Sequence, residues 1–127
     1  MSLTLFFWMN IWASILLNAV LWIVAFFPPK IIIVDRLHMG ARGLALPGMI
    51  FMRKGEPQST LRHEMVHILQ YRRYSPFGVS CILAWHYGFG FLKQKIRGET
   101  LCFWSLWATN PFEKEANDAM YKKDNKK

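Results

Sequence analysis

From Leu3 to Phe27 the chain runs 25 residues without a charged side chain, and its only polar members are Thr4, Asn10, Ser14 and Asn18. A bilayer core about 30 Å thick is crossed by about 20 apolar residues in a helix. The run therefore predicts a transmembrane anchor over residues 1–29, with Trp8, Trp12 and Trp22 as interfacial aromatics and Pro28-Pro29 as its stop. A secretory signal peptide fits poorly: no Lys or Arg precedes the run, the run is too long, and no small-x-small site follows. A helix apolar on every face would also find too little protein to cover it in a soluble chain of 127 residues.

Every charge lies from Lys30 onward, where 16 Lys+Arg outweigh 8 Asp+Glu. Such an excess implies an anionic partner, nucleic acid or a membrane surface. No nucleic-acid recognition motif accompanies it, and the segregation of charge from the apolar run favours membrane lipid. The positive-inside rule then places the basic side in the cytoplasm, giving a single-pass protein. With 16% aromatic residues the chain is not disordered. Residues 30–121 form one small domain and 122–127 a basic tail. Cys81 and Cys102 form no CxxC pair and sit in apolar stretches, so buried, inert thiols are expected.

The expected fold class is α+β. Ile31-Ile32-Ile33-Val34 is β-branched and predicts a short buried strand. Residues 39–48, with Gly40, Gly43, Pro47 and Gly48, predict a turn-rich connection. Met49-Ile50-Phe51-Met52 predicts a second strand, and Glu56-Pro57 starts a helix that runs to Tyr74 and stops before Pro76.

That helix carries His63-Glu64-Met65-Val66-His67, an HExxH pattern. Positions i and i+4 share a helix face, so His63 and His67 can aim imidazole nitrogens at one metal ion. Glu64 projects about 100° away, where it reaches a water beside the metal rather than the metal itself. This is the arrangement zinc-assisted hydrolysis requires. A catalytic zinc takes three protein ligands, and His38, His86, Glu99, Glu113, Glu115 and Asp118 remain as candidates for the third. Asn110-Pro111 predicts a helix start, which puts Glu113 in a first turn and the small Ala116 one turn later, where it allows close packing on the motif helix.

His63-Glu64-x-x-His67 together with Glu113-x-x-Ala116 resembles the gluzincin zinc metallopeptidases, including membrane-embedded members whose glutamate ligand lies in an ExxA(D) helix. Gln70 adds a likeness to small HExxHxxQ proteins. The resemblance covers roughly residues 49–120. It implies a minimal zincin-like domain with Zn2+ held by His63, His67 and Glu113, and Glu64 as general base. Glu115 stays a second candidate for the ligand, although Glu113 alone matches the ExxA register. Asn117 stands where many members carry Asp.

Residues 75–92 are uncharged and long enough to span, yet one crossing would put His67 and Glu113 on opposite sides of the bilayer. Interfacial packing is expected, with a re-entrant hairpin around the glycines as the alternative. Lys93, Lys95 and Arg97 then suit anionic headgroups. His86 and Tyr71 are candidate oxyanion stabilisers, with aromatic packing the alternative role.

The function expected is a membrane-associated metallopeptidase that binds a peptide or a membrane-protein segment extended along Met49–Met52. A zinc-binding membrane interaction protein without hydrolytic activity is the alternative. A membrane-perturbing protein, in which HExxH is coincidental, is a more distant third.

Overall fold

The computed structural model describes residues 2–121, so the basic tail 122–127 lies outside the described residues. Four helices and a three-stranded sheet follow in the order α1 (Leu3–Phe26), β1 (Lys30–Val34), β2 (Gly43–Leu46), β3 (Met49–Arg53), α2 (Gln58–Ile96), α3 (Phe103–Ala108) and α4 (Pro111–Tyr121). A 3-10 turn at His38–Gly40 links β1 to β2. The architecture is mixed α+β, with one N-terminal apolar helix long enough to cross a membrane.

The sheet order is β1-β3-β2. The first strand pairs parallel to β3 and the second pairs antiparallel to it. Three expectations change here. The connection 39–48 contains a strand, because Pro47-Gly48 closes a tight hairpin that sets Leu46 opposite Met49. Gly48 sits at φ 78, open to glycine at the second central position of a turn, and a Cβ there would also strike the Val24 side chain of α1. The strand at 49–53 is then central, with β2 as the edge on the α2 side. Finally, β1 is an edge strand whose Ile31 and Ile33 are exposed, because α2 packs on β2 and β3 but not on β1.

The core lies where α2 crosses the sheet: Ala45, Ile50, Met52 and Ile68 are buried together, with Leu61, Met65 and Tyr71 against them. Fully burying Ile50 and Ile68 contributes about 1.5–3 kcal/mol each.

Pro76 does not end α2. The helix breaks at Ser75, whose φ of 62 and ψ of 160 leave the helical region, and resumes as a second arm, 76–96. The break is capped like a fresh helix start: the Ser75 hydroxyl accepts from the Gly78 amide, and Asn18 of α1 accepts from the Phe77 amide at 2.8 Å. The second arm is unbroken through its glycines, which removes the hairpin alternative. Arg72 ties the first arm to the end of α1, donating to the Ala25 and Phe27 carbonyls, while Trp22 donates to the Arg72 carbonyl. Only Ala25 of α1 is buried.

The last helix starts as its sequence predicts. The Asn110 side chain accepts from the Phe112 amide, Pro111 takes the first position, and a fully buried Ala116 lets α4 lie against α2.

Candidate metal centre

His63 and His67 lie one turn apart on the first arm of α2, and Glu113 lies in the first turn of α4. Their facing nitrogens, both Nε2, stand 3.1 Å apart. Glu113 reaches His63 Nε2 at 3.3 Å through one carboxylate oxygen and His67 Nε2 at 3.4 Å through the other. Donor atoms around a tetrahedral zinc at about 2.1 Å stand about 3.4 Å apart. The three side chains thus fit a metal ion, and among the described residues they are the one group of this kind. Glu113 Oε2 is buried without a hydrogen bond, an oxygen still short of a partner.

Gln70 assigns the donor roles. Its Nε2 donates to the Phe112 carbonyl and to Glu115, both at 3.0 Å. Its Oε1 must therefore accept from His67 Nδ1 at 2.8 Å, which leaves the lone pair of His67 Nε2 facing the centre. With 2% of its surface exposed, Gln70 welds the motif helix to α4. Glu115 is engaged by Gln70 and by Arg73 at 3.2 Å and stands outside the ligand group.

Electrostatics matches this layout. Burial alone would raise the Glu113 pKa, yet the adjoining His63 and His67 imidazoles hold it at about 2. Burial would lower His67, but Glu113 and Gln70 carry it above its ordinary value. Glu64 moves opposite to Glu113: its burial pushes the carboxyl up against the opposing pull of His67, His63 and the Ala45 amide.

Glu64, only 6% exposed, shares a cavity of about 320 Å³ with the three candidate ligands. The edge strand β2 bounds the cavity through Gly43, Leu44 and Ala45, and Val79, Leu83, Trp107 and Phe112 supply an apolar wall. Gly43 is required by this approach, since a Cβ would lie 2.5 Å from Glu64 Oε1. Tyr71 lines the same cavity and donates to the Ala45 carbonyl at 3.4 Å. His86, the other candidate oxyanion donor, is not among the lining residues; its Nε2 donates to the Leu106 carbonyl at 2.8 Å and joins the second arm to α3.

Gly43, Asn110 and Trp107 escaped the sequence reading as site residues. Gly43 was visible only as a turn former, Asn110 only as a cap, and Trp107 belongs to α3, which no motif marks. Trp107 also lines a second cavity with Arg42, Asn117, His63 and Glu64. No model of a known protein family, no curated protein and no solved structure matches the chain.

Proposed function

We propose that the protein is a membrane-associated, zinc-dependent metallopeptidase of gluzincin type, anchored by α1 with its basic domain on the cytoplasmic side. The observation that carries this reading is the arrangement of four side chains in one cavity. Two imidazoles and Glu113 face a common point, while the buried Glu64 carboxyl stands beside them without joining the group. A purely structural site has no use for that extra carboxylate.

Zinc, when bound, supplies Lewis-acid polarisation of a substrate carbonyl and makes a nearby water acidic enough to ionise near neutral pH. Glu64 accepts a proton as water adds to the carbonyl carbon, then returns it to the amine nitrogen as the C–N bond breaks. Its burial suits it to hold that proton transiently. Gln70 keeps His67 in the tautomer that presents Nε2. The Tyr71 hydroxyl is the candidate donor to the developing oxyanion, exchanging its long bond to the Ala45 carbonyl for it.

Substrate binds extended along β2 rather than along Met49–Met52, whose strand is paired on both sides. Arg42 turns its carbonyl inward to the Arg53 amide, so alternation directs the backbone groups of Gly43 and Ala45 outward; those of Ala45 meet Glu64 and the Tyr71 hydroxyl, which leaves the Gly43 end of the strand for substrate.

The test is Glu64→Gln in detergent-purified full-length protein, scored for zinc content and for hydrolysis of a library of unstructured quenched peptides. Retained zinc with turnover lost supports the peptidase. Retained zinc with no turnover in either protein supports the non-catalytic zinc-binding alternative, and absence of zinc in fresh wild type rejects both.

A further inference from the structure

The second arm of α2 has two unlike faces. Val79 and Leu83 line the metal cavity, His86 donates to Leu106, Gly90 leaves room for the Leu106 side chain, and Gln94 bonds the Cys102 amide and Ser105. The opposite face presents Phe77, Cys81, Trp85, Phe89, Leu92 and Ile96, all exposed, with Trp85 at 73%. No charged residue occurs between Arg73 and Lys93. A helix of a water-facing domain carries its charges on the outward side; here that side is apolar over about five turns. Both cysteines, expected to be buried, are exposed, Cys81 on this face and Cys102 at the start of α3.

The junction with α1 sets the depth of this arm. Helix α1 is 24 residues long, about 36 Å against a hydrocarbon core of about 30 Å. Asn18 lies eight residues before Phe26, about 12 Å in from the domain end of the helix. Because the Phe77 amide is bonded to Asn18, the second arm begins at that depth. Arg72, on the Ala25 and Phe27 carbonyls, marks the boundary above it. The break at Ser75-Pro76 therefore falls inside the monolayer; from there Val79 and Leu83 line the metal cavity, while Phe77 is the residue of the arm that borders the pocket along α1.

We infer that residues 76–96 form an in-plane membrane helix whose Phe77–Ile96 face is embedded in the lipid monolayer on the domain side of the bilayer. Lys93, Lys95 and Arg97 bring its far end up to the headgroups. The helix forms the floor of the candidate metal site, so the cavity opens at the membrane surface and meets peptide segments lying there. The inference rests on the membrane-spanning role proposed for α1 and not on the hydrolytic chemistry.

Cys81 and Trp85 provide native probes in full-length protein reconstituted into phosphatidylcholine–phosphatidylglycerol vesicles. A membrane-impermeant maleimide is applied to the Cys102→Ser protein and to a Lys54→Cys protein lacking both native cysteines, Lys54 being exposed on the turn after β3. Cys81 is expected to react slower than the Lys54→Cys thiol by at least about tenfold. Phosphatidylcholine brominated on its acyl chains is expected to quench wild-type fluorescence more than that of Trp85→Phe. Labelling of Cys81 at the rate of the control overturns the inference while α1 still resists alkaline extraction. Protection of Cys81 without Trp85 quenching overturns it too, assigning the face to protein, such as a second copy. Release of the protein by alkaline extraction would instead remove the spanning reading itself.

Discussion

Gln70 spends its amide on two acceptors of α4, and that choice alone decides which nitrogen of His67 points at Glu113. Replacing it by Ala is expected to weaken zinc binding about 10- to 100-fold with the stoichiometry kept, measured by competition with a chromophoric chelator. His67→Ala and Glu113→Ala are expected to abolish binding. Glu115→Ala should retain it, because Glu115 sits with Arg73 and Gln70 outside the ligand group. Gly43 gives a sharper test of the base. A methyl group placed 2.5 Å from Glu64 Oε1 must push that carboxyl aside. Gly43→Ala should therefore cost at least about tenfold in kcat, with zinc content unchanged. HExxH, the ExxA register and the unusual Gln70 were all legible in the sequence, since helix periodicity alone brings i, i+3 and i+4 together. That Gln70 bridges to Glu115, or that Gly43 must be small, depends on residues far apart in the chain.

The long helix α2 owes its two directions to Ser75. Its φ and ψ lie in a region that L-residues enter at a cost of about 1–3 kcal/mol, whereas exchanging a serine cap for glycine costs only a few tenths. Ser75→Gly is therefore expected to raise Tm, and Ser75→Ala, which keeps the strain and loses the bond to the Gly78 amide, to lower it. Asn18→Leu leaves the Phe77 amide without its partner and, with this junction in the monolayer as proposed, should destabilise by about 1–3 kcal/mol. Thermal unfolding in detergent, followed by circular dichroism, reads all three. Pro76 marked the site of the break in the sequence. Helix on both sides of it did not follow, because a proline at the first position of a new helix is as acceptable as one after a helix end.

Across the whole molecule the candidate metal joins α2 to α4, segments 46 residues apart at His67 and Glu113. Chelation is thus expected to lower Tm, and re-addition of zinc to restore it. The pH dependence has a definite sign. The pKa of His67 is raised above its ordinary 6.5, so its stabilising contribution is complete below that value and fades as pH rises. Glu64, raised above 4.5 by burial, adds a cost as it ionises over the same direction of pH. Glu113, held at about 2, opposes this trend only in acid, since its contribution is present above 4.5 and lost as pH falls. Chelated protein should therefore lose Tm as pH rises above 6.5, while the increment from zinc grows as protons leave the imidazoles.

The sequence by itself determined the features that depend on neighbours along the chain: a helix fit to cross a membrane, two of the strands, the motif helix with its two histidines, and the cap and first-turn glutamate of α4. Tertiary structure decided what depends on segments meeting. Pairing alone makes β2 an edge and Met49–Met52 central, since a strand's place in a sheet is set by its partners. The choice of Glu113 over Glu115 came from the packing of Ala116 and Gln70 between two helices. Which face of residues 76–96 points outward was decided in the same way, because a segment without charges has no outward side until α3 and the cavity cover the other one.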